Sequence, residues 1–120
     1  MNALQRISTG IELLEGGYVV EWTPSRETEP GVRTMAYPNY DRRLMEALWG
    51  ASELVGTDYD YVNRVDEVRD VDVARMSRSQ LSTFFTWVQR GERFCDGFIA
   101  DFVKEGKVLQ ALRRAIELAD

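Results

Sequence analysis

Residues 77–88, SRSQLSTFFTWV, constrain the fold more than any other stretch. Ser77 and Gln80 stand at the spacing of a capping box, in which each side chain bonds the other residue's backbone amide and starts a helix. Leu81, Phe84, Phe85 and Val88 then recur at three- and four-residue steps, which places them on one helical face. A face this apolar has to be covered. Helical partners for it are written on both sides.

Downstream, Gly91 is expected to break that helix. A second helix is expected to carry Phe94, Cys95, Phe98, Ile99, Phe102 and Val103 as two apolar rows, with Gly97 inside it. Glycine there costs about 1 kcal/mol relative to alanine, which implies close approach by another element, with the final helix as the expected neighbour. Gly106 fits a C-terminal cap. Val108, Leu109, Leu112 and Ile116 then give a last helix its buried side.

Upstream, residues 3–15 read as a helix with Asn2 as N-cap and Leu4, Ile7, Ile11 and Leu14 on one face, ended by Gly16-Gly17. YVVEW (18–22) alternates with a period of two and reads as a strand. TPSRETEPG reads as a polar loop, after which VRTMAY pairs back on that strand and Pro38 closes the unit. Asp41 caps a helix running to about Val55. Tyr61, Val62, Val65 and Val68 suggest a short amphipathic helix from near Asp58. The fold expected is α+β and predominantly helical. About five helices surround one core, with a small two-stranded antiparallel hairpin near the N-terminus. At 120 residues the expectation is one compact domain spanning 1–120.

Composition narrows function more by exclusion than by signal. The chain has no histidine, so a Ser-His-Asp triad, a Cys-His pair and histidine-ligated zinc are ruled out, and so is the commonest general base near neutral pH. Its net charge of −5 disfavours direct nucleic-acid binding, which draws affinity from neutralised phosphates. One cysteine cannot form an intramolecular disulfide. The N-terminus lacks the pattern of a signal peptide, and no apolar run approaches the ~20 residues that span a bilayer. The cytoplasm is the expected location, with no membrane partner.

Four groups of side chains are candidate sites. Cys95 shares a stripe with Phe98, Ile99 and Phe102, and is expected to be a buried structural thiol rather than a nucleophile. Arg90, Arg93, Arg113 and Arg114 would converge on an anion site if the last two helices form an antiparallel hairpin, with the amides after Gly91-Glu92 adding positive potential. Ion pairing with the chain's own acids is the competing reading. Tyr18, Trp22, Tyr37 and Tyr40 gather around the β unit as a candidate interface. Asp58 and Asp60, at the head of an acidic stretch reaching Asp72, supply only the beginning of a calcium loop, and no metal or cofactor is expected.

Four stretches resemble a known domain-of-unknown-function family of small bacterial, archaeal and phage proteins. They are GGYVVEW, MAYPNYDRRLMEAL, YDY at 59–61, and the run from Leu81 to Arg114 with R-x-x-R-F-C-x-G at 90–97 and LRR at 112–114. The resemblance implies a mostly helical fold with a small β element, and it carries no catalytic residues. The function expected is a small acidic, non-enzymatic module, a regulator or inhibitor that binds another protein. On a phage or mobile element, blocking a nucleic-acid-handling host complex, in an anti-CRISPR-like role, would suit its charge. The alternative is a small-anion binder or enzyme built on the arginines.

Overall fold

The computed structural model describes residues 1–119. Helix α1 (Ala3–Glu15) opens on a capping box: Asn2 Oδ1 accepts from the Gln5 amide at 2.9 Å, and Gln5 Oε1 accepts from the Asn2 amide at 2.9 Å. Helix α2 (Arg42–Val55) starts at Asp41, whose carboxylate accepts from the Arg43 amide. Helix α4 (Arg78–Gly91) carries the Ser77–Gln80 box, and Leu81, Phe84, Phe85 and Val88 are all buried. Between α2 and α4 the chain makes one helical turn, α3 (Tyr61–Arg64), followed by two 3₁₀ turns at Val65–Glu67 and Val73–Arg75. Helices α5 (Phe98–Lys104) and α6 (Lys107–Ala119) complete the chain, joined through Gly106 in the left-handed region. The protein is therefore α+β and mostly helical, with six α-helices among the described residues. Among the described residues no helix is long and apolar enough to cross a membrane.

One core serves all the long helices. Ile7 of α1, Leu44 and Leu48 of α2, and Val108 and Leu112 of α6 join the α4 face. Phe84, Trp87, Phe98 and Phe102 interlock edge to face with ring centroids 5.1–6.4 Å apart, the arrangement that aromatic quadrupoles favour. The α6 helix returns along α4, so that Arg114 Nε donates to the Met76 carbonyl just before the start of α4.

Several local expectations need correcting. Strand β1 is only Glu21–Thr23, and it pairs antiparallel with β4 (Tyr37–Asn39), so that of the expected strand VRTMAY (32–37) only Tyr37 takes part. Pro38 does not end this unit; it lies inside β4, opposite Trp22. The segment expected to be a loop folds back on itself as a second hairpin, β2 (Glu27–Glu29) with β3 (Val32–Arg33). Its turn is Pro30-Gly31, with Gly31 at φ +80° and its amide donated to Glu27 Oε1. Residues 24–37 are exposed throughout, so this arm adds nothing to the core. Leu4 and Val62 are exposed rather than buried on their helical faces.

Helix α4 ends at Gly91 as expected, but the helix expected through Phe94 and Cys95 does not begin until Phe98. Residues 92–97 form a turn. Gly97 is the N-cap of α5 at φ +91°, and a Cβ at that position would lie 2.5 Å from the Trp22 ring. The close approach expected at this glycine is present, but it comes from the β arm and not from the final helix.

A second close approach sets the spacing of α1 and α2. A Cβ on Gly10 would sit 2.3 Å from the Ala47 Cβ, a contact no side-chain rotation can relieve. Alanine would improve intrinsic helix propensity by about 1 kcal/mol. Overpacking a buried seam typically costs about 1–3 kcal/mol. Overpacking wins here, because Ala47 can retreat only by moving α2. Gly10→Ala should therefore lower stability by about 1–2 kcal/mol in urea unfolding, and a stabilised variant would contradict this packing.

Candidate functional site

The turn at 92–97 is organised by one carboxylate. Glu92 Oε2 accepts from the Gly97 amide at 2.8 Å, and Glu92 Oε1 accepts from the Ile99 amide at 2.8 Å. Tyr40 donates its hydroxyl to Glu92 Oε1 at 2.7 Å, and its oxygen accepts from the Ala100 amide at 3.2 Å. Free amides at the start of α5 are thus met by an acid from within the chain. An external anion has no vacancy there. This removes one half of the expected anion site, the amides beside Gly91-Glu92.

The four arginines separate into two places. Arg113 pairs with Glu15 at 3.2 Å, and Arg114 pairs with Glu117 at 3.0 Å while bonding the Met76 carbonyl. Arg114 is thereby held near the first turn of α4. Arg90 lies in the last turn of that helix, about 20 Å away at 1.5 Å per residue. Arg90 and Arg93 remain together, lining a groove of ≈ 450 Å³ between α2 and α4 with Trp49, Ser52 and Gln89. The Arg90 guanidinium lies over the rings of Tyr59 and Tyr61, at 5.6 and 5.8 Å from their centroids.

The aromatic candidates also divide. Tyr18 and Tyr40 are half-buried and fasten the base of the β arm; the Tyr18 hydroxyl accepts from the Asp41 amide at 2.9 Å. Trp22 and Tyr37 are 46% and 48% exposed, enough to offer ring surface to a partner. Tyr18, Val19, Val20 and Trp22 form one wall of a second groove, of ≈ 620 Å³, and Ala100, Asp101, Val103 and Lys104 of α5 form the other. Sequence reasoning reached Tyr18 and Trp22 but not Val19, Val103 or Lys104, because the facing of the arm by α5 depends on the Tyr40–Glu92 contact.

Asp58 is engaged internally. Its carboxylate accepts from the Thr83 hydroxyl at 2.6 Å and from the Asp60 amide at 2.9 Å, with Arg64 at 3.7 Å. The Thr83 bond chiefly holds its pKa below the ordinary carboxylate value, with the Asp60 amide and Arg64 acting in the same direction. Cys95, expected to be buried, is exposed, because its segment is a turn rather than a helix.

The profile of the DUF6508 family, a family of unknown function, matches residues 2–120. The chain belongs to the DUF6508 family. No curated protein and no solved structure matches it.

Two outcomes test this DUF6508 site. Burial, and then the hydrogen bond to Glu92, raises the Tyr40 pKa well above its ordinary 10.0. The folded state holds this proton more tightly than the unfolded chain does. The associated stability is complete below pH 10 and is lost as pH rises beyond it. Urea midpoints should accordingly fall more steeply above pH 10 in the wild type than in Tyr40→Phe, and parallel curves would contradict the assignment. Native Cys95 should also react with a thiol reagent at nearly the rate seen in denaturant; protection of the native thiol would mean that the 92–97 turn is wrong.

Proposed function

We propose that the protein is a small, acidic, non-enzymatic regulator or inhibitor that binds another protein by seating an extended segment of it along residues 18–20. The observation that carries this reading is backbone without hydrogen-bond partners, leading into β1 beside a largely apolar groove. Among the described residues, neither Val19 nor Val20 makes a backbone hydrogen bond. Val19 is 77% exposed, a high value for a valine at the lip of a cleft. Extended peptides bind such edges through a ladder of main-chain hydrogen bonds, with alternate side chains entering the adjoining cleft.

The chemistry of the groove defines the occupant. Val20, Trp22 and Val103 favour apolar side chains at alternate positions of the segment. Asp101 and Lys104, one of each sign on α5, favour a segment with mixed charge over a uniformly acidic or basic one. Trp22 adds the large, half-exposed ring typical of interface anchors. An enzymatic reading has less support, since no imidazole exists to move a proton or to activate Cys95.

Selection of a random peptide library on the immobilised protein tests the proposal. Enriched sequences should alternate apolar residues and bind one to one. Val19→Asp alters an exposed position and should leave stability within about 0.5 kcal/mol. The same change should weaken the enriched peptides by about tenfold or more. N-methylation of alternate peptide amides should also abolish binding. Failure to enrich any sequence, or binding indifferent to both changes, would reject the proposal.

A further inference from the structure

The groove between α2 and α4 uses none of the residues assigned to peptide binding and is built from different chemistry. Trp49 and Ser52 lie three residues apart on α2. Gln89 and Arg90 occupy the last turns of α4, and Arg93 follows just beyond. Among the described residues no carboxylate lines this groove. That is unexpected in a chain where twenty acids face fifteen bases. Eight of the other eleven arginines have a carboxylate within 4.0 Å, yet among the described residues neither Arg90 nor Arg93 does. Two cations without counter-charges therefore face the same concave surface.

The surroundings of these arginines favour a particular kind of anion. Tyr59 and Tyr61 hold the Arg90 guanidinium through ring faces, which orient it without neutralising its charge. Trp49 is 49% exposed at the groove, presenting indole surface on which a flat ring can stack. Gln89 donates its amide nitrogen to Ser52 Oγ at 2.7 Å and to the Phe85 carbonyl at 3.2 Å, which fixes the side chain. Its Oε1 accepts no hydrogen bond from the described residues and remains an acceptor for an exocyclic amine. Bare guanidinium groups suit a phosphate, the indole suits a heterocycle, and ≈ 450 Å³ holds both parts of a small ligand.

We infer that this groove binds a nucleoside monophosphate, with the phosphate on Arg90 and Arg93 and the base against Trp49. The same chemistry can be supplied by a free nucleotide or by one residue of a single strand. The net charge of −5 opposes a long polyanion, whose further phosphates would meet an acidic surface, and so favours the free nucleotide.

Calorimetric titration at low ionic strength tests this, with AMP, GMP, CMP, UMP, adenosine, inorganic phosphate and a five-nucleotide RNA as probes. At least one nucleoside monophosphate should bind about tenfold or more tightly than either phosphate or adenosine, because both halves of the ligand contribute. Raising salt to about 0.5 M should weaken it, since Arg93 is exposed and its charge is screened. Trp49→Ala should reduce the affinity to that of phosphate alone, and Arg93→Gln should lower it by about tenfold. Both positions are exposed, so circular dichroism and melting should stay unchanged in these variants. The inference is overturned if no monophosphate binds better than phosphate, if both variants bind like wild type, or if the RNA binds more tightly than every monophosphate. A valine-lip variant such as Val19→Asp should leave nucleotide binding intact, which keeps this result separate from the peptide proposal.

Discussion

The carboxylate of Glu92 is the constraint on which the functional half of the molecule depends. It sits just past α4, yet its two oxygens accept bonds from Gly97, Ile99 and Tyr40. Hydrogen bonds to a charged group contribute about 1.5–3 kcal/mol each, so this single side chain can define a six-residue turn that has no regular structure of its own. The same contact reaches across the chain to Tyr40, at the foot of the β arm and one residue before the cap of α2. It fixes the foot of the arm against α5 together with the Trp22 ring on Gly97 and the Ala100 amide on Tyr40. The groove of residues 18–22 and 100–104 exists because a loop acid and a phenol meet.

Glycine makes this meeting possible in two different ways. Gly97 supplies a left-handed backbone at the start of α5 and leaves room for the Trp22 ring across its α-carbon. Gly91 supplies flatness alone: a Cβ there would fall 2.3 Å from the Phe98 ring, which lies on the end of α4 and links the turn to the aromatic core. Phe98 in turn stands edge to face with Trp87 and Phe102. The turn is thus clamped by polar bonds on one side and by rings on the other, and Phe94 and Cys95 are left outside it, facing solvent.

What could be read from the sequence follows the range of the interactions. Helix starts are local, and the box at Ser77–Gln80 and the caps at Asn2 and Asp41 lie where the sequence indicates, with Gln5 completing a second box at Asn2. The buried face of α4 was equally legible, since four apolar residues at helical spacing need only some partner. The 92–97 turn was not, because Phe94, Cys95 and Phe98 keep a helical spacing although only the last is covered. The glycines at 91 and 97 bracketing ERFCD were the available signal. Pro30-Gly31 likewise signalled a tight turn within what looked like a loop. The pairing of Glu21–Thr23 with Tyr37–Asn39 carried no local mark, since Pro38 reads as a terminator until Trp22 is placed opposite it. The arginines depended on the direction of α6, which periodicity does not encode. Its return along α4 carries Arg114 to Met76 and leaves Arg90 and Arg93 alone.

That separation changes what the arginines imply. Four cations converging from two helices would repel one another and call for counter-ions, and a chain rich in acids would supply them. Arg113 and Arg114 follow that logic, each with a glutamate partner. Arg90 and Arg93 do not, although a glutamate stands between them in the chain. Glu92 is unavailable to them because it is committed to the start of α5 and to Tyr40. The carboxylate that builds the turn is therefore also the one withheld from the neighbouring guanidinium groups. Replacing it would loosen the foot of the arm and at the same time free the Gly97 and Ile99 amides to compete for any anion drawn to that end of α4. In this fold the bare arginines and the seated arm have one cause.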